Sequence, residues 1–106
     1  MVNPHAGEVA LVIDGQQRVM KLTLGALAGL EAALGADTLV ALVERFEVGA
    51  CSSRDVLALI VAGLQGGGSE MGERDLMTAT IEGGPLAAAR AAAELLARAF
   101  ALPGEG

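Results

Sequence analysis

Few side chains in this 106-residue chain could do chemistry, and they lie far apart. His5 is the only histidine. A metal site normally gathers several Cys, His, Asp or Glu ligands, and neither a cysteine nor a second histidine accompanies it, so a solvated terminal imidazole is expected. Cys51 is the only cysteine and is followed by Ser52 and Ser53. Nucleophilic catalysis needs an adjacent base and a group that orients it, and the sole histidine is distant in sequence. A place just before a helix could favour a reactive thiolate, but the triplet reads first as a structural turn with a helix cap. Glu44 and Glu47, one helical turn apart, have the residue types of an acid/base pair and the pattern of a solvated helix face. The segment GLQGGGSE lacks the preceding strand and following Lys of a phosphate loop. Asp14-Gly15 is a turn signal, not a calcium loop. No catalytic, metal-binding or cofactor-binding residue follows, no cofactor is expected, and partner-binding residues stay unassigned.

Composition points the same way. The chain is 53% hydrophobic, yet its aromatics are only Phe46 and Phe100. The core must therefore be Leu, Val, Ile, Ala and Met, without the stacking platform that single-stranded nucleic-acid binders use. A net charge of −6, with seven scattered basic residues, argues against a phosphate-binding surface. A lone cysteine permits no intrachain disulfide and fits a reducing compartment. The start MVNPHAGE lacks the basic region of a signal peptide. The longest apolar stretch, Val56 to Leu64, is too short for a bilayer, which needs about 20 residues. A soluble, cytoplasmic, single domain over 1–106 is expected, with no nucleic-acid or membrane partner.

Any surface this chain offers must be positioned by a hairpin and helices. Residues 1–7 read as a loose leader and 8–22 as a β-hairpin. Val9 to Ile13 is an apolar, β-branched run, Asp14-Gly15 suits a type I′ turn, and Gln16 to Leu22 returns. Arg18, Met20 and Leu22 share one face. A lone hairpin is marginal in water, so it must pack on the helices or pair with another chain. The helical part spans 23–102. Thr23 caps a helix to Leu34 with Leu24, Leu27, Leu30 and Leu34 as its stripe, ending at Gly35. Asp37 caps a second, with Leu39, Leu42, Val43 and Phe46 facing inward. Ser52 and Asp55 form a variant capping box on a third, whose Val56, Leu57, Ile60, Val61 and Leu64 make it the most buried. Gly66-Gly67-Gly68-Ser69 reads as a flexible loop. A short helix from Glu73 to about Ala79 carries Leu76 and Met77. Pro85 opens a last helix over 85–102, with Leu86, Ala89, Ala93, Leu96 and Phe100 as inner stripe and Arg90–Glu94 and Glu94–Arg98 pairs outside. The expected class is α+β, mainly helical, an N-terminal hairpin followed by four or five helices. The hairpin is expected on the first and third helices, with a free edge open to strand addition or a homo-oligomer.

The serial order of GEVALVIDGQQRVMKLTLGALAGLEAALG, SSRDVLALIVAGLQGGG and IEGGPLAAARAAAELLARAF resembles the small gene transfer agent family of alphaproteobacteria. That family sits among phage tail assembly proteins and is labelled either a tail assembly chaperone or a tail tube protein. The resemblance covers about residues 5 to 101. It implies a phage-like particle that packages host DNA, and it supplies no catalytic residues. As a chaperone, the chain would bind the tape measure protein, keep it soluble and recruit tail tube subunits. This is the expected function, because a tube subunit usually needs a larger sheet than one hairpin. The alternative is a structural subunit of the tail. A third reading, a small enzyme or regulator dependent on Cys51, lacks a base.

Overall fold

The computed structural model describes residues 7–35 and 38–100. It is α+β and mainly helical: β1 (Val9–Ile13), β2 (Gln16–Met20), α1 (Leu24–Leu34), α2 (Thr38–Glu47), α3 (Ser53–Gly66), α4 (Glu73–Met77) and α5 (Gly84–Ala99). The leader expected at 1–7 lies outside the described residues except for Gly7, and so does the cap expected at Asp37.

The hairpin forms because its turn chemistry and alternation agree. Asp14 and Gly15 take φ of 51° and 78°, the two positive values that a type I′ turn requires. This fixes the antiparallel register from Ile13↔Gln16 to Val9↔Met20. Val9, Leu11, Ile13 and Met20 are then buried on one face. Arg18 stands opposite Leu11 on that face and turns back, its Nη2 donating to Gln16 Oε1 at 3.1 Å.

β2 ends at Met20, two residues short of the expected Leu22. There the Lys21 N–H leaves the ladder and donates to the Gly63 carbonyl of α3 at 2.9 Å. The glycine-rich segment is a close-packing device rather than a flexible loop. Gly66 closes α3, a Cβ on it would drive into the Lys21 carbonyl oxygen, and one on Gly67 into that of Val19. Only glycine lets the end of α3 lie this close to the strand.

The helices are capped largely as the sequence implies. Thr23 Oγ1 accepts from Ala26 N at 3.1 Å. In α3 the reciprocal box is complete, Asp55 N donating to Ser52 Oγ at 3.1 Å and Ser52 N to Asp55 Oδ2 at 3.0 Å. α3 packs against β2, α1, α4 and α5, and Leu59, Ile60 and Leu64 are fully buried. In α2, Leu42 is fully buried, with Leu39, Val43 and Phe46 packed around it.

Three expected placements differ. Leu24 is 86% exposed, whereas Leu30 of the expected stripe is buried, Leu27 and Leu34 pack on the core, and Ala26 is buried with them. Apart from Glu31 this helix holds only Leu, Ala and Gly, so hydropathy alone does not orient it. α5 buries Ala88, Ala91, Ala92, Leu95 and Leu96, while Leu86, Ala93 and Phe100 lie exposed. The inner face combines Ala88, Ala91 and Ala92, which let α5 approach closely, with Leu95 and Leu96. α5 also ends at Ala99, short of the expected 102, and of the two expected pairs only Glu94–Arg98 forms, at 3.3 Å. Finally, the hairpin rests chiefly on α3 through β2 and on α5 through β1, rather than chiefly on α1 and α3. The cause is a bridge between Ile13 and Ile81, which draws the start of α5 under β1.

Candidate functional site

An apolar groove of about 720 Å³ lies between α3, α4 and α5. Val56, Leu57 and Ile60 of α3 form one wall, α5 with Pro85, Leu86, Ala88 and Ala89 another, and Leu76, Met77, Ala79 and Ile81 the third. No charged side chain lines it. Met77 and Leu86 stand 68% and 62% exposed. The groove exists because α4 is one short turn and stops at Met77, before the expected Ala79. Leu76 is buried, and Met77, the next residue round, is left outside.

Cys51, Ser52 and Ser53 close one end of this groove. Their role there is architectural. The Ser52 hydroxyl is engaged as the α3 cap, and Cys51 is a half-buried free thiol. Asp55 ties this corner to α2: Arg45 Nε and Nη2 donate to its Oδ2 and Oδ1, both at 2.9 Å. These bonds, helped by the Ser52 N–H and opposed by partial burial, hold the Asp55 carboxyl below the usual carboxylate range. Hydrogen bonding to Asp55 likewise raises Arg45, against its own desolvation. Sequence reasoning found the cap but not Arg45, because a contact ten residues away across a turn leaves no periodic signal.

A second groove, of about 510 Å³, runs between β1 and the outer flank of α5, where Leu86, Ala87, Arg90, Ala91, Glu94 and Arg98 follow helical spacing. Along β1, alternate backbone groups face this groove. The Val12 carbonyl accepts from Glu82 N at 3.0 Å, and Asp14 N donates to the Thr80 carbonyl at 2.8 Å. Asp14 adds a side-chain link, its Oδ1 accepting from Thr80 N at 2.9 Å. The turn thus holds a segment 66 residues away, a role that its sequence signal did not reveal. The edge that the sequence left open is therefore closed at its turn end.

The remaining sequence candidates do not converge. Glu44 and Glu47 are exposed on α2, and His5 lies outside the described residues. Among the described residues no group of three or more His, Cys, Asp or Glu could hold a metal ion, no histidine stands near Cys51, and no single helix is long and apolar enough to cross a membrane.

The family model described as phage tail tube protein, GTA-gp10, matches residues 6–102. The chain belongs to this gene transfer agent tail family. Comparisons with curated proteins and with solved structures return no match.

Proposed function

We propose that this chain is a non-catalytic tail component of a phage-like gene transfer agent and acts by contact with other tail proteins. The observation that carries the reading is the family match across nearly the whole chain. It supports a structural subunit of the tail, the alternative in the sequence analysis, more directly than the chaperone. The uncharged groove between α3, α4 and α5 is the surface best suited to a neighbouring tail protein. Assembly in the cytoplasm, without nucleic-acid or membrane contact, is part of this proposal, supported by the net charge of −6.

One feature favours the tail assembly chaperone as a second reading. Among the described residues the sheet has two strands, and the outer edge of β1 gives its Val12 carbonyl to Glu82 N. That leaves little edge for a ring built from continuous sheet, whereas an apolar groove suits the apolar stripe of a helical partner such as the tape measure protein. The deciding experiment has two arms. Particles are purified and the copy number of this chain is measured, and the chain is co-expressed with the tape measure protein encoded near it. High copy number in particles establishes the structural subunit. Absence from particles, with co-purification and raised tape measure solubility, establishes the chaperone. Absence from both rejects the proposal.

A further inference from the structure

α2 is held to the rest of the chain by side chains alone. Among the described residues none of its main-chain groups bonds to another element. The Val48 N–H returns to Glu44, that of Gly49 to Phe46 and that of Ala50 to Arg45. With Gly49 at φ 73°, the last two bonds close the helix on itself as a Schellman motif. The hairpin and its exit, by contrast, exchange main-chain bonds with Gly63, Thr80 and Glu82. Of residues 39–47 only Leu42 is buried, and Val40 is 70% exposed. α2 packs chiefly on α1. Toward α5 it leaves a gap of about 340 Å³, between Val43, Phe46 and Glu47 on its own side and Ala93, Leu96 and Phe100 on the other. Its one polar tether among the described residues is the pair of 2.9 Å bonds from Arg45 to Asp55 of α3.

We propose that α2 is a latched lid. It leaves the core as one unit while the hairpin, α3 and α5 stay packed, and the Arg45–Asp55 pair is its latch. Opening withdraws one fully buried side chain, Leu42, together with the half-buried Leu39, Val43 and Phe46. It breaks no main-chain bond to another element. A ten-residue helix containing Val40, Val43 and Phe46 is a poor helix former once its packing is gone, so the released segment unravels and its amides meet water. The gap toward α5 leaves the lid short of contacts on that side, and few buried contacts are what give a region low local stability. α3 does not unravel with it, because the Ser52 hydroxyl and the Asp55 carboxylate keep their reciprocal cap bonds. Opening uncovers Leu96, only 4% exposed in the closed chain, and the face of α1 that α2 covers. The inference concerns how this helix is held and stands apart from the subunit-or-chaperone question.

The test is amide hydrogen exchange on the full chain, in urea kept below the unfolding range. The Leu42, Val43 and Phe46 amides are expected to share one opening. It should be roughly a hundredfold more frequent than the opening that exposes the Ile60 and Leu64 amides of α3, and less dependent on urea. Ile13→Val trims the core in β1, which packs on β2 and α5, so it loosens the closed and lid-open forms alike. It is expected to speed α3 exchange about fivefold and to leave α2 exchange unchanged. Arg45→Met and Asp55→Asn are each expected to speed α2 exchange about fivefold, and together no more than either alone. Asp55→Asn keeps an acceptor for Ser52 N. Ala93→Leu fills the gap and is expected to slow α2 exchange about threefold. Exchange graded inward from the helix ends, one common rate for α2 and α3, or faster α2 exchange in Ile13→Val overturns the lid. Additive effects of Arg45→Met and Asp55→Asn, or no effect of either, overturn the latch. Unchanged α2 exchange in Ala93→Leu overturns the gap as the source of the weakness.

Discussion

The two sides of α3 are built differently. Toward the hairpin, glycines bring backbone against backbone: the Gly63 carbonyl accepts from Lys21 N, and Gly66 and Gly67 leave no room for a Cβ beside β2. Toward α4 and the start of α5, side chains meet around a groove, with Met77 and Leu86 left outside. The first side defines one geometry and tolerates nothing added. The second is apolar but underfilled, a surface that can accept another protein without rearranging the fold.

The sharpest way to break this comparison is to add a methyl group on each side. Gly66→Ala or Gly67→Ala forces the end of α3 off β2 and is expected to lower stability by about 3 kcal/mol, read as a large drop in urea midpoint. If either variant melts like the parent, the close seam is not what fixes the hairpin. Gly63→Ala meets Leu95 Cδ1 at 2.7 Å, a side chain that can shift, and should cost less than either.

Next in size is the corner that anchors both sides. Asp55→Ala removes the bond from Ser52 N and both Arg45 bonds together, leaving the Ser52 hydroxyl cap, and is expected to cost about 2 kcal/mol. Ser52→Ala removes one cap bond and is expected to cost about 1 kcal/mol. The corner also predicts a pH dependence. Because the Asp55 carboxyl is held low in the folded chain, its contribution is fully present above the ordinary carboxyl value of about 4. It is lost as pH falls through the lowered folded value. Urea titrations across acid pH should show the parent losing this increment and Asp55→Ala showing none of it. Parallel profiles would remove Asp55 from the account.

The smallest effects belong to the groove. Met77→Ser and Leu24→Lys change exposed apolar residues and are expected to alter stability by less than about 0.5 kcal/mol. Met77→Ser should nonetheless weaken association with tail proteins in pull-down, and Leu24→Lys, outside the groove, should not. Cys51→Ala is expected to leave particle production unchanged. A loss there would revive a thiol-dependent role.

Where local chemistry decides, the sequence was legible. Asp14-Gly15 demanded positive φ twice and received it. Thr23 and the Ser52/Asp55 box marked the starts of α1 and α3 to the residue. The resemblance in serial order led to the family that the model match supports. Inner faces were legible only where polar residues mark the outside, as in α2. In α1, which apart from Glu31 is Leu, Ala and Gly, several stripes are equally apolar; in α5 Arg90, Glu94 and Arg98 mark the outer face, yet the structure buried Ala91 and Ala92 and left Leu86 and Phe100 exposed.

The sequence by itself determined most of the elements, the caps at Thr23 and Ser52 and the hairpin turn, because each depends on residues within one or two turns of each other. Only the tertiary structure decided that the glycine run is a packing seam, that Arg45 closes on Asp55, and that the Asp14 turn holds Thr80. It also decided which strand edge stays open over α5. These depend on distances between segments brought together by burial of the whole core, which no local pattern records.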